Sequence, residues 1–334
     1  MSKPIHLKDP AFLQNYEQSV AATNGGCLSD FIKSQNQSGM PALVSDDGLQ
    51  GWVSASRGVM WRLPIHCDDV VSQFSIKKLL KQKKIYLVSY LIKPDYQHKA
   101  NCFHYVMGNK KYSIENLSRN TRSKIRRGFR NFSIRLFSWE DLIEKGYPAL
   151  VDTDLRHGYS TPQEKILTQI ADVHAKSDNH QLWGAWDGDN LAAWIEWIRV
   201  ENWALIGLAC SQTKYLKKYP NNALIYAATS FFISKHKCSY VSYGISSLEA
   251  KSRTLASLHR FKRQMGYEAI PKHRHFIPIW FLKPLLRFKG CSILLETLSL
   301  YIPQNSALRK IAGMTRLISG REQSPLAWAD GFEL

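Results

Sequence analysis

Glu196 is the carboxylate best placed in this sequence to do chemistry. It lies in Trp194-Ile195-Glu196-Trp197, in the middle of a stretch that alternates like a strand. A carboxylate against apolar surface loses hydration, so its pKa rises, and a raised carboxylate suits a general base for an amine nucleophile. The same position equally suits a solvent-facing glutamate on a half-buried strand. His273-Arg274-His275 would put two imidazoles on one face of a strand. No carboxylate or thiolate lies nearby in sequence to complete a ligand set, so no metal is expected. The six cysteines (Cys27, Cys67, Cys102, Cys210, Cys238, Cys291) are scattered without a Cys-x-x-Cys pair, which fits reduced thiols better than a disulfide scaffold or a zinc site. There is no Gly-x-Ser-x-Gly elbow, no Walker loop and no Gly-x-Gly-x-x-Gly turn.

Charge is the second chemical signal. The formal net charge of +18 argues for an anionic partner: nucleic acid, an acidic membrane surface or a phosphate-bearing substrate. Between Lys110 and Arg135 nine Lys or Arg face one acid, Glu115. Within that run Arg119, Arg122, Arg126 and Arg130 fall at i, i+3, i+7 and i+11, one stripe of a helix, with Ile125 and Phe129 as an i, i+4 pair on a neighbouring face. Such a stripe is either a solvated face or a surface for phosphate. A second cluster from Lys251 to Lys289 holds ten Lys or Arg against Glu268 alone. Neither has the interleaved aromatics of a single-strand platform, and no zinc-finger or RNA-recognition motif is present, so the attraction is to backbone phosphate rather than to bases.

The elements that must carry these groups follow from periodicity. Strands are expected at 182–186, 191–200 and 203–209, joined by Asp187-Gly188-Asp189-Asn190 and by Glu201-Asn202. A helix over 223–237, a strand at 240–244 and a helix ended by Gly266 come next. Upstream, a helix is expected near 10–21, short strands over 52–65, and a basic amphipathic helix over 70–84 with Val70, Phe74, Leu79 and Leu80 inward. Strands follow at 85–92 and 103–107. Ser118 is placed as the N-cap of a helix to 131, a strand follows at 132–137, and Ser138 caps the next helix. Two more helices span 149–157 and 163–176. The tail from 279 is helical, apolar and basic, and its last fifteen residues read as loose.

At 334 residues the chain has room for two domains, and 44% hydrophobic content supports a sizeable core. The N-terminus has no apolar core of signal-peptide length, and no apolar run reaches the roughly 18 residues needed to span a bilayer. A cytoplasmic protein is expected, either free or peripheral to the inner face of the membrane.

The segment Asn116-Leu117-Ser118-Arg119-Asn120-Thr121-Arg122-Ser123-Lys124-Ile125-Arg126-Arg127-Gly128 resembles the "Leu-Ser…Arg…Ile-Arg-Arg" segment of FemAB-like proteins of the acyl-CoA N-acyltransferase (GNAT) superfamily. Lys218-Tyr219-Pro220-Asn221-Asn222 and Phe261-Lys262-Arg263-Gln264-Met265-Gly266-Tyr267 are similar to later segments of that family, so the likeness covers about 115–275. It implies an α/β (α+β) fold: tandem GNAT-like mixed-sheet domains at 1–140 and 141–278, followed by a helical tail at 279–334. It also implies transfer of an acyl or aminoacyl group, from acyl-CoA or aminoacyl-tRNA, onto an amine of a cell-envelope or polysaccharide precursor. By that likeness Tyr219, Asn221 and Asn222 would open a helix toward a donor phosphate, and Lys262 would supply a counter-charge. Arg156 and Tyr159 would face the acceptor, and Arg119, Arg122 and Arg126 would meet an anionic substrate or tRNA. The chain departs from the pattern at 211–220, where acyl-CoA users carry glycines and this sequence has none. Side chains there would crowd a pyrophosphate, and Lys214, Lys217 and Lys218 would suit a larger polyanion. The other reading is a non-catalytic relative that binds RNA or anionic membrane through its basic faces. The tail, at 279–302, either meets anionic lipid of the inner leaflet or packs on the core.

Overall fold

The computed structural model describes residues 27–321 except 46–49, 66–67, 69–70, 109–111, 160, 236–237, 248–252 and 303–304. The helix expected near 10–21 and nearly all of the last fifteen residues lie outside the described residues. Helix α1 (Leu28–Gln37) leads into β1 (Ala42–Val44), β2 (Gly51–Ser56) and β3 (Val59–Leu63). Then follow α2 (Gln73–Leu80), β4 (Leu87–Ile92), β5 (Cys102–Met107), α3 (Arg119–Asn131) and β6 (Ser133–Phe137). Trp139–Asp141, the π turn Leu142–Gly146 and Tyr147–His157 run on as one helix, α4, and α5 spans Glu164–His174. The meander β7 (His180–Asp187), β8 (Asn190–Val200) and β9 (Trp203–Ser211) is followed by the 3₁₀ turn Thr213–Lys218 and α6 (Pro220–Ser234). Next come β10 (Tyr240–Ser247), α7 (Arg253–Gln264) and β11 (Glu268–Pro278). The chain then runs through α8 (Lys283–Arg287), α9 (Lys289–Tyr301) and α10 (Ser306–Ile318). Among the described residues no helix is long and apolar enough to cross a membrane.

Among the described residues the eleven strands share one mixed sheet, in the order β1-β2-β3-β4-β11-β5-β10-β9-β8-β7-β6. The long strand β11 makes this possible. Its first half, Glu268–Lys272, pairs antiparallel with β5, and its second half, His273–Pro278, with β4. β11 therefore holds the N-terminal strands and the meander in one hydrogen-bonded layer. The expected α/β (α+β) mixed-sheet fold, with a helical tail, is what the chain forms.

Alternation along β8 sends its side chains to two cores. Ile195 and Trp197 pack with Ile125 of α3 and with α6. Trp194, facing the other way, packs with Leu142 and Leu150 of α4, and its indole N–H donates to Gly146 O at 2.9 Å. α6 is apolar nearly all round, with twelve of fifteen residues buried, because it is sandwiched between the sheet and α3. Ser118 caps α3 as expected, its hydroxyl accepting from the Thr121 amide, and Ser138 caps α4 by accepting from Asp141 N–H. α3 approaches α6 closely at Gly128. A Cβ there would lie 2.6 Å from Tyr219 O and 2.8 Å from Ala223 Cβ. Backbone cannot retreat as a flexible side chain can, so Gly128→Ala is expected to destabilise the fold by about 1–3 kcal/mol, read as a lower denaturant midpoint at unchanged slope.

One inward assignment is corrected. α2 starts at Gln73, capped by Ser72, and buries Ile76 and Leu79. Phe74 lies on the opposite side of so short a helix and is 74% exposed. Val70 lies outside the described residues.

Candidate active site

β9 and β10 run parallel, but only Trp203–Leu205 pairs with Tyr240–Ser242. Beyond that point β10 bulges between Ser242 and Ile245, with Gly244 at φ +72°, and continues along β5. The remainder of β9 keeps β8 on one side and, among the described residues, no strand on the other. Gly207, Leu208 and Ala209 are consequently solvent-exposed in the middle of a central strand, with Leu208 at 39%. The result is a wedge with one free strand edge, able to pair with an extended ligand.

At the opposite end of β9 from that pairing, where the wedge is open, Ser211 gathers side chains from two helices, α4 and α6. Thr153 of α4 accepts from the Ser211 amide at 2.8 Å and donates to its carbonyl at 3.1 Å. Arg156 donates to Ser211 O and Ser211 Oγ, both at 3.2 Å, and to Thr213 Oγ1 at 2.8 Å, while Asp152 pairs with it at 3.2 Å. Hydrogen bonds from Thr213 hold the Asp152 carboxyl below the usual range against a smaller effect of desolvation, with Arg156 adding to the lowering. Asn221 donates to the same Ser211 Oγ at 3.2 Å. Arg156 and Asn221, expected on the acceptor and donor sides, thus meet at one hydroxyl. Tyr159 lies elsewhere, half-exposed beneath Arg309 of α10, whose guanidinium carbon is 4.9 Å from the ring.

The missing glycines have a visible consequence. Tyr219 takes the left-handed conformation at φ +65°, which a side-chain-bearing residue adopts only under constraint. Arg127 and Lys124 of α3 lie over its ring, at 4.8 and 5.9 Å. Among the described residues no side chain caps α6. Asn222 does not face outward: it is buried, its amide 3.5 Å from Met265 Sδ. Lys214 and Lys218 stack on Tyr215, and Lys218 also pairs with Asp187 at 3.2 Å.

Lys262 is not a surface counter-charge. It is 3% exposed, with Nζ donating to Tyr243 O and Ser246 Oγ at 2.9 Å, both on the part of β10 that has left β9. The rings of Tyr105 and Tyr243 flank it at 4.9 and 4.8 Å. Desolvation pushes its pKa down to about 7. Beside it, Tyr105 and His259 share a 2.6 Å hydrogen bond.

Glu196 also differs from expectation. Its Oε1 accepts from His180 Nδ1 at 2.9 Å, and His174 Nδ1 approaches at 3.2 Å, off the ideal hydrogen-bond direction. Burial alone would raise this carboxyl, as the strand context suggested, but the two imidazoles outweigh burial and hold it at about 2. Burial lowers His180 in turn, so a neutral Nδ1–H facing an ionised carboxylate describes the pair. The three side chains place ligand-type atoms within 4.8 Å of one another. The imidazoles, however, are stacked face to face, with centroids 3.7 Å apart and planes 16° apart. Their lone pairs run side by side, so an ion at about 2.1 Å from both would sit well out of both ring planes. The arrangement suits a hydrogen-bonded clamp rather than a metal. It ties α5, β7 and β8 to α1, through Phe31 stacked on His180 at 5.5 Å and Gln35 at 3.4 Å from its Nε2.

Arg119 and Arg126 are exposed on the outer face of α3, Arg122 is half-buried, and Thr121, Ile125 and Gly128 face α6. Near the start of this helix a pocket of about 380 Å³ is lined by Asn116, Ser118, Arg260, Arg263 and Gln264 among others. His174, His180, Ser211 and Thr153 carried no signal in the sequence, because each comes from a different element and no spacing links them.

No family model and no curated protein matches this sequence. Among solved structures, FemX aligns with a TM-score of 0.56 at 12% identity, over 86% of this chain and 99% of that one. The C-terminal domain of an Agrobacterium fabrum protein assigned as a lysylphosphatidylglycerol synthetase aligns at 0.49 and 10% identity, over 78% and 90% of the two chains. L-PGS from Bacillus licheniformis aligns at 0.47 and 13% identity, over 94% and 100%. On this likeness, which takes in 86% of this chain and 99% of the other, the chain folds like FemX.

Proposed function

We propose that this protein is a FemAB-like N-acyltransferase, moving an acyl or aminoacyl group onto an amine of a cell-envelope or polysaccharide precursor. The wedge between β9 and β10 carries this reading. It leaves a strand edge open for an extended donor, and Lys262, of pKa about 7, is hydrogen-bonded to the part of β10 that lies across from that edge. The new bond joins the donor carbonyl carbon to the amine nitrogen, and the bond broken is the thioester C–S of acyl-CoA or the ester C–O of aminoacyl-tRNA. Neutral Lys262 accepts the proton the amine loses, and the departing thiolate or alkoxide takes up a proton as it leaves. A free amide on the edge of β9 polarises the carbonyl, and positioning supplies the rest. The crowded turn at Tyr219 and the excess positive charge favour a donor larger or more anionic than acetyl-CoA.

The test compares acetyl-CoA, a long-chain acyl-CoA and charged tRNA as ligands in thermal unfolding, then as donors to amino-sugar and peptide amines followed by mass spectrometry. A true donor present at a hundred times its Kd is expected to stabilise by about 2.7 kcal/mol and to yield an amide product. Unchanged unfolding with all three donors would remove the reading. Stabilisation by uncharged tRNA equal to that by charged tRNA, with no product and a steep salt dependence, would favour the non-catalytic alternative.

A further inference from the structure

We propose that the C-terminal helices form a docking surface for an anionic phospholipid bilayer. The observation is that α9 is inside out. The side it turns to the protein carries Cys291, Ser292, Leu295, Glu296 and Ser299, and only Ser292 is fully buried. Glu296 is held there by Arg316 and Arg321. The side it turns to solvent carries Ile293, Leu294, Leu298 and Tyr301. A helix that only completed a core would face the other way. The apolar surface continues into the preceding turn, where Trp280 and Phe288 are 80% and 66% exposed, and ends at Tyr301, also 80% exposed. Trp and Tyr at its margins suit a boundary that is apolar on one side and wet on the other.

Charge selects the occupant. From 279 to 302 the basic residues are Lys283, Arg287 and Lys289, all exposed, and the one acid, Glu296, is engaged inward. A second copy meeting this face across a two-fold axis would bring like charges together. An anionic lipid surface neutralises them while the apolar side chains enter the acyl region. At the foot of the tail a pocket of about 290 Å³ is lined by His273, Arg274, His275, Lys283 and Arg287 and, among the described residues, by no carboxylate, a setting for a lipid phosphate. The surface is independent of the acyl-transfer wedge, and either inference can fail alone.

The full chain is floated with vesicles of phosphatidylcholine alone and of phosphatidylcholine mixed with an equal part of phosphatidylglycerol. Binding is expected to the mixed vesicles only and to weaken with salt. Phe288→Glu with Leu294→Glu is expected to lower the bound fraction about ten-fold or more, with unfolding temperature unchanged because both residues are exposed. Lys283→Glu with Arg287→Glu should do the same without touching the apolar face. Equal binding to both vesicle types, or flotation unaffected by both pairs of substitutions, overturns the proposal. So does absence of flotation together with a concentration-dependent dimer that Leu294→Glu dissociates, which would make this face an interface between copies.

Discussion

Replacing Lys262 by methionine is expected to lower turnover about 10²–10⁴-fold while the protein remains folded. Its ammonium is buried between two tyrosine rings with no carboxylate partner among the described residues, and desolvation brings it down to about 7. A neutral amine is the active form, so the wild-type rate should rise with pH through about 7 and level off above it; Lys262→Met should lose that limb. Stability carries an independent signature. The folded pKa lies below the unfolded value of 10.5, so between about 7 and 10.5 the unfolded chain binds more protons and stability grows with pH. This contribution, roughly 3–5 kcal/mol, is present above 10.5 and lost as pH falls through about 7. Lys262→Met should therefore be at least as stable as wild type at pH 6 and relatively less favoured at high pH, in chemical denaturation across that range. A variant that keeps the wild-type rate and pH profile would leave the lysine a role in holding β10 only.

Removing the Glu196 carboxylate is expected to destabilise the protein by about 3 kcal/mol for Glu196→Ala, because the buried His180 Nδ1–H loses its acceptor and His174 the carboxylate beside it. Glu196→Gln keeps an oxygen for His180 and should lose about 1–3 kcal/mol. The sign with pH is fixed by the folded value of about 2 against 4.5 for a free glutamate. The stabilisation is complete above 4.5 and disappears as pH falls toward 2, so wild type loses this contribution on acidification through that window and Glu196→Gln loses correspondingly less. Lowered His180 adds to acid lability below its ordinary value of 6.5. A carboxylate held this low is a poor base at neutral pH. Turnover of folded Glu196→Gln is expected to stay within a few-fold of wild type, and a loss comparable to that of Lys262→Met would restore Glu196 to the chemistry.

Local periodicity wrote most of the elements into the chain. Alternation in Leu191–Val200, the Asp187-Gly188-Asp189-Asn190 turn, the Ser118 and Ser138 caps and the apolar run of α6 each act within a few residues, and each recurs in the fold. The segments likened to FemAB-like proteins belong to a chain that does fold like FemX. The chemical roles were less legible. Glu196 and Lys262 were visible as residues, but what each group does depends on partners distant in sequence. Glu196 lies between aromatics in the chain, which predicts a raised pKa; two histidines from α5 and β7 reverse it. Lys262 lies in a basic run on α7, and the family likeness makes it a counter-charge to a donor phosphate; β10 and β5 close over it and nearly neutralise it.

The sequence by itself determined the elements, the excess positive charge and the lack of glycine before α6, because periodicity, capping and composition act locally or additively. Only the tertiary structure decided that β9 and β10 part after Leu205, that Ser211 collects Arg156 and Asn221, and that α9 turns its apolar side to solvent. Those outcomes depend on which surfaces meet. Hydration, hydrogen bonding and pKa follow from the neighbours a side chain acquires when the chain closes, and no spacing within the sequence specifies them.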